Sequence, residues 1–263
     1  MMKVIISHDI DHLSAREHIF KDLIIPKYIF WCILELVKRK ISRRIFFKKL
    51  MRLLRKNAWN NLEELLRFDK RNGVKPTFFV AVNNGKGISY PLKQAKRAIN
   101  LIKNYNFDIG VHGICFEGYE GIKREYEIFK NISGSEKFGI RMHYLRLNKE
   151  TLNNLAKTGY LFDTTVLSNS LEQEYKIGAL TEMPFHIMEG NLLGPRQNST
   201  LKEVKEKTKE LLERAEKMNK KYLSILFHQR YFSDEFPSYK KWYIWLINYC
   251  KEKYEFINYK SLL

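Results

Sequence analysis

Short runs of β-branched and aromatic residues recur along this chain between longer segments with helical spacing. That alternation constrains the fold more than anything else in the sequence. Parallel strands cannot be joined by tight turns, so each needs a crossover, and a helix is the usual one. Strands are expected at 3–8, 76–82, 107–112, 138–143, 161–166, 181–186 and 222–228. Their runs are nearly continuous in apolar character, as strands covered on both faces require. Between them, Thr200 with Glu203 forms a capping box ahead of Val204, Leu211, Leu212 and Ala215 at helical spacing. Asn148 opens a helix that stops at Gly159, and Pro91 suits the first turn of a helix over 91–104. Trp59, Leu62, Leu65 and Leu66 mark a helix ending before Gly73, and aromatic residues dominate a last one around 238–252.

No internal repeat, low-complexity tract or long linker divides the 263 residues, so a single domain over 1–263 is expected. The exception to the alternation is the long connection after the first strand, a helical insertion at about 18–57. From 36 to 62 it has no Asp or Glu, whereas 38–56 carries ten Lys or Arg residues, with Phe46, Leu50, Leu53 and Leu54 along one helical face. A basic amphipathic helix of this kind suits an anionic membrane surface, though an ordinary solvated helix has the same pattern. The net charge of +18 favours an anionic partner in general. Nucleic acid is disfavoured, because no module interleaving aromatic and basic residues accompanies the charge. Cys32, Cys115 and Cys250 are too few and scattered for a disulfide framework. The N-terminus runs straight into a strand without a signal-peptide pattern. The longest apolar run, Leu23 to Val37, is interrupted by Pro26, Lys27 and Glu35 and is too short for a span. A cytoplasmic location, with scope for peripheral membrane association, is the expectation.

The ionisable residues gather where a parallel α/β fold puts its ligands, beyond the carboxyl ends of the strands. Strand one ends in His8, Asp9 and Asp11, with His12 just beyond. The next strand ends hold His112, His143, Asp163, His186 and His228, and only His18 lies clearly elsewhere. One such histidine is ordinarily a structural residue. The whole set predicts one polar site of imidazoles and carboxylates, suited to zinc or a similar divalent ion.

Five stretches in order then resemble the motifs of the polysaccharide deacetylase superfamily, the NodB-like enzymes of carbohydrate esterase family 4. They are His8-Asp9-Ile10-Asp11-His12, Asp108-Ile109-Gly110-Val111-His112-Gly113, Arg141-Met142-His143-Tyr144, Gly159-Tyr160-Leu161-Phe162-Asp163-Thr164-Thr165 and Leu226-Phe227-His228. The string Thr181 to Gly190, with Glu182-Met183-Pro184, is similar to that of a subgroup associated with surface-polysaccharide biosynthesis.

The resemblance implies an α/β fold: an irregular (β/α)7 barrel with a largely parallel seven-strand sheet. It implies a hydrolase that removes an N-acetyl, less often an O-acetyl, group from a sugar with a divalent metal, zinc above all. Carried over residue by residue, Asp11 and His112 ligate the metal and Asp9 is the general base. Arg141 holds Asp9, His228 is the general acid, and Asp163 orients His228. The family's second metal histidine falls four residues after the first, and here that position is Phe116. His143 is the favoured replacement; Cys115, Glu117, His8 and His12 are the others, although His8 and His12 read better as supports around the carboxylates. The expected substrate is a glycan precursor, nucleotide- or lipid-linked. The competing readings are an inactive relative that binds glycan or a partner protein, and an amidase acting on a non-sugar amide.

Overall fold

The computed structural model describes residues 2–18, 23–54, 59–194 and 197–263. Its first strand, β1 (Lys3–Ile10), is flanked along its whole length. On one edge runs β9 (Tyr222–Leu226); on the other lie β10 (Glu255–Ile257) beside Lys3–Ile5 and β2 (Thr77–Val80) beside Ser7–Ile10. From β2 the sheet continues through β3 (Asp108–Gly113), β4 (Ile140–Met142), β5 (Phe162–Asp163) and β7 (Leu180–Glu182), every pair parallel. Beyond β9 comes β8 (Ile187–Met188), also parallel. The two ends of the parallel run, β7 and β8, therefore belong to one stretch, Leu180–Met188, which leaves β5 and arrives at β9. Among the strands of the described residues only β6 (Tyr175–Ile177) is antiparallel, as a hairpin on β7. This curled, mostly parallel sheet matches the irregular barrel expected from the sequence. The expected strand at 181–186 bends between two neighbours, and β6 and β10 are strands too short to have announced themselves.

The period-2 alternation of β1 sorts the molecule into two apolar layers. Ile5 faces the barrel interior with Phe79, Phe162, Met183, Tyr222 and Tyr259. Val4, Ile6 and Ile10 face outward, into the larger layer between sheet and helices. That outer layer is built by α3 (Leu62–Arg71), α4 (Leu92–Asn104), α5 (Tyr119–Ser133), α6 (Thr151–Thr158), α8 (Leu201–Lys217) and α9 (Pro237–Lys251). The capping box of Thr200 and Glu203 starts α8, and Gly159, left-handed at φ 101°, ends α6. Trp59 is not helical: it lies ahead of α3, buried.

The insertion after β1 forms two helices, α1 (Ile24–Val37) and α2 (Arg43–Leu53), rather than one basic helix. Lys38 to Ile41 connect them and Ser42 caps α2, its side chain accepting from Ile45 N–H. Phe46 and Leu53 pack inward as their spacing suggests, whereas Leu54 is exposed. Arg55 and Lys56, the end of the basic segment, lie outside the described residues.

Candidate active site

The same alternation that buries Ile5 inside the barrel carries Ser7, Asp9 and Asp11 up its inner wall. Arg141 comes to meet them from β4 and is fully buried. Its Nη1 donates to Asp9 Oδ1 at 2.9 Å, its Nη2 to Ser7 Oγ at 2.8 Å and to Tyr259 Oη at 3.0 Å, and its Nε to the Thr164 carbonyl at 3.0 Å. Phe79 and Phe185 cover the guanidinium faces, 4.5 and 5.1 Å from the ring centroids. A charge this deeply buried is tolerable only when nearly every donor is met. Burial opposes ionisation of Asp9, but Arg141 and then His112 outweigh it and hold the carboxyl below its ordinary range.

His112 ends β3, and His143 opens the short turn after β4. His112 Nδ1 donates to the Arg141 carbonyl at 3.0 Å, and His143 Nε2 donates to the Lys86 carbonyl at 2.8 Å. A carbonyl can only accept, so each ring's proton is committed there in the neutral imidazole. The remaining nitrogens, His112 Nε2 and His143 Nδ1, face each other at 3.0 Å, 3.2 and 3.5 Å from Asp11 Oδ1. Asp11 Oδ1 is itself buried with no hydrogen-bond donor among the described residues. Two lone pairs and a carboxylate oxygen thus converge on one point. Such a triangle suits one zinc-sized ion, whose tetrahedral ligands at about 2.0–2.1 Å lie about 3.3 Å apart. Burial lowers the proton affinity of His112, yet Asp9 and Asp11 raise it overall.

The Asp11 carboxyl is held well below the carboxylate range, because His112, His143 and His228 outweigh its burial. His228 follows β9, with its Nε2 3.7 Å from Asp11 Oδ2. Its Nδ1 donates to Glu189 Oε1 at 2.6 Å, and Glu189 is wholly buried at the start of α7 (Glu189–Leu193). Burial disfavours the imidazolium, but Glu189, then Asp11 and Asp9, push its pKa up to about 10. Asp9, Asp11, His112, His143 and His228 all border one cavity of about 280 Å³ at the barrel mouth.

Several expectations need correction. Glu189, not Asp163, holds His228. Asp163 caps its own loop through Thr165 Oγ1 at 2.7 Å and Thr165 N–H at 3.1 Å, and shares a buried environment with Glu182, whose proton affinity burial and Asp163 raise well above normal. His8, on the opposite parity from Asp9, points out of the barrel. Its ring bridges the Phe227 carbonyl at 2.8 Å and Asp69 at 3.1 Å, and Tyr243 Oη donates to the same Asp69 at 2.7 Å. His186 accepts from Ser224 N–H and donates to the Glu172 carbonyl. His12 does sit beside the site, accepting from Arg230 and contacting His18, the histidine that had looked remote.

Near Phe116 the alternatives fall away. Phe116 packs under Arg146, 4.8 Å from its ring centroid, and Glu117 is exposed. Cys115 lies against Glu125 and Asn83, its thiol pushed up to about 11 by burial and by Glu125. Glu125, buried on α5, accepts the Ile114 and Cys115 N–H groups and so fixes the loop that follows His112. Sequence reasoning missed both Glu125 and Glu189. Glu189 is the first acidic residue after β8, which is a weak signal.

The turn that presents His143 is strained. Tyr144 and Leu145, neither of them glycine, have φ of 58° and 54°. Gly87, preceded by Lys86, whose carbonyl accepts the His143 N–H, is close under the Tyr144 hydroxyl; a Cβ there would lie 3.0 Å from it.

No protein-family model and no curated protein matches the sequence. Solved structures do match. A Mycobacterium smegmatis protein assigned as a polysaccharide deacetylase superposes with a TM-score of 0.64 at 15% identity, over 99% of this chain and 88% of that one. A Pseudomonas aeruginosa PAO1 protein assigned likewise gives 0.64 at 12% identity, with the same coverage. The chain has the polysaccharide deacetylase fold. An allantoinase shares it, with a TM-score of 0.61 at 11% identity over 99% of this chain and 88% of its own. Within the polysaccharide deacetylase fold, β1, β3, β4 and β9 bring their carboxyl ends together around the cavity, and the five quoted motifs lie along or just beyond β1, β3, β4, β5 and β9.

Proposed function

We propose that the chain is a metal-dependent deacetylase that removes an acetyl group, above all an N-acetyl group, from a sugar of a surface-glycan precursor. The observation that carries this reading is the meeting of His112 Nε2, His143 Nδ1 and Asp11 Oδ1, with the N–H groups of both imidazoles already committed elsewhere. Those three residues would hold the ion, which would supply Lewis acidity and a water of lowered pKa.

The chain's own groups supply the rest. Asp9, kept ionised and fixed by Arg141, accepts a proton from the attacking water. His228, protonated through its contact with Glu189, delivers a proton to the departing amine. The depth of Arg141 keeps the carboxylate from rotating away from the cavity. A net charge of +18 favours a substrate carrying phosphate, such as a nucleotide- or lipid-linked sugar.

One further observation favours a second reading. The likeness to an allantoinase spans the same share of the chain, so a non-sugar amide is the competing substrate. Acetate release from acetylated aminosugars, assayed on zinc-loaded protein, tests the proposal. Acetate must appear, and Asp9→Asn must abolish it, by about 10²-fold or more, while metal content stays the same. Hydrolysis of other amides without acetate would give the site to the competing substrate. Protein that holds no zinc at all would make it an inactive relative.

A further inference from the structure

The helices α1 and α2 are apolar on the wrong side for an ordinary surface pair. Tyr28 and Cys32 of α1 are buried toward the barrel, as a core-facing stripe should be. Yet Leu23, Phe30, Ile33 and Val37 are 78%, 58%, 47% and 73% exposed. At a turn of 100° per residue these four fall within an arc of about 80°, a second apolar stripe along the other face. On α2 the pattern repeats: Phe47, Met51 and Leu54 are 62%, 61% and 74% exposed, at i, i+4 and i+7. Of twelve large apolar side chains exposed among the described residues, these two helices and their flanking residues carry seven. A concentration of this kind marks a contact surface rather than random exposure.

The charges around it say what the contact is. Lys27, Lys38, Arg39, Lys40, Arg43, Arg44 and Lys48 are exposed on the same pair of helices and their connection. The only carboxylate on α1 or α2, Glu35, is taken by Lys49 at 2.5 Å. A second copy of the chain would bring the same positive field against itself, and a protein groove would ordinarily offer no such uniform charge. An anionic bilayer complements both properties at once, with headgroups for the cations and the acyl boundary for the apolar stripes. The helix α1 is about 21 Å long at 1.5 Å per residue, so it lies in the interface and does not cross.

We propose that the protein docks peripherally on anionic lipid bilayers through the outer faces of α1 and α2. The docked element borders the active-site cavity. Lys27, Tyr28 and Trp31 of α1 share a cavity of about 590 Å³ with Asp11, His143 and His228. On the proposed function, a sugar carried on a membrane lipid would enter this cavity past α1, whose barrel-facing side lines it. The docking itself does not rest on the deacetylase reading.

The test is co-sedimentation of the full chain with vesicles of phosphatidylcholine, with and without phosphatidylglycerol. The wild type pellets with the anionic vesicles and stays in solution with the neutral ones. Phe47→Ser/Met51→Ser and, separately, Arg43→Glu/Arg44→Glu each weaken the partition by about tenfold or more. Far-UV circular dichroism and zinc content match the wild type in both variants, which keeps loss of folding apart from loss of docking. Absence of binding to anionic vesicles overturns the proposal. Binding that the apolar pair leaves unchanged also overturns it, because general attraction of a basic protein would then suffice. A dimer dispersed by the apolar pair, with no vesicle binding, would assign the face to a second copy.

Discussion

At the scale of single residues, the site rests on where two protons are. Backbone carbonyls of Arg141 and Lys86 hold the N–H groups of His112 and His143, and this leaves the opposite nitrogens able to serve as the proposed ligands. His143→Ala should therefore lower zinc affinity by about a hundredfold or more in a chelator competition, and unchanged occupancy would remove it from the ligand set. Glu189→Gln addresses the other side of the cavity. The carboxylate keeps His228 charged and aimed, so its loss should lower kcat by about 10²-fold with KM nearly unchanged in steady-state kinetics. A matched rise in KM would mean that Glu189 shapes binding instead. The residue types at these positions were readable in sequence, and strand parity separated Asp9 and Asp11 from His8 once β1 was placed. The partners were not. Glu189 reaches His228 from 39 residues earlier in the chain, a separation that no local pattern announces.

Elements follow a similar division. Strands with continuous apolar runs were legible because burial on both faces leaves a compositional mark. The stretch Leu180–Met188 was legible only as apolar, since its two short halves pair with different neighbours and bend between them. Its first half carries the buried carboxyl of Glu182, one of whose oxygens lacks a partner among the described residues. Burial and the nearby Asp163 raise the proton affinity of Glu182, so it holds a proton in the folded state beyond the pH at which it ionises when unfolded. The sign follows by linkage: this stabilisation is fully present below the unfolded pKa and disappears as pH rises through the folded one. Glu182→Gln, which keeps the shape without the proton, should raise the melting temperature at alkaline pH and leave it nearly unchanged in acid. Thermal scans across pH check this, and a parallel shift at every pH would refute the raised proton affinity of Glu182. The insertion was legible in its charge but not in its break, because nothing in the run of Lys and Arg distinguishes the Ser42 cap from its neighbours except the hydroxyl.

For the whole molecule, a bound ion would be worth far more to stability than any single contact. At a thousandfold excess over its Kd, a ligand that binds only the native state adds about 4 kcal/mol. A chain of this size shifts by roughly 2–4 °C per kcal/mol, so a strong chelator should lower the melting temperature of zinc-loaded protein by about 8–16 °C in a calorimeter. The same treatment of His143→Ala should do much less. Where the ligands sit in the chain adds a consequence in time. A histidine pair within one loop can chelate before anything else has formed. Here the donors come from positions 11, 112 and 143, at the carboxyl ends of three separate parallel strands. The gap between Asp11 and His112 closes only when β1, β2 and β3 have paired, and the strained turn at Tyr144 must then already be in place. With the proposed ligand set, zinc would not act as a seed for this barrel. Refolding should proceed at the same rate with or without the ion, and the ion's whole effect should appear as slower unfolding.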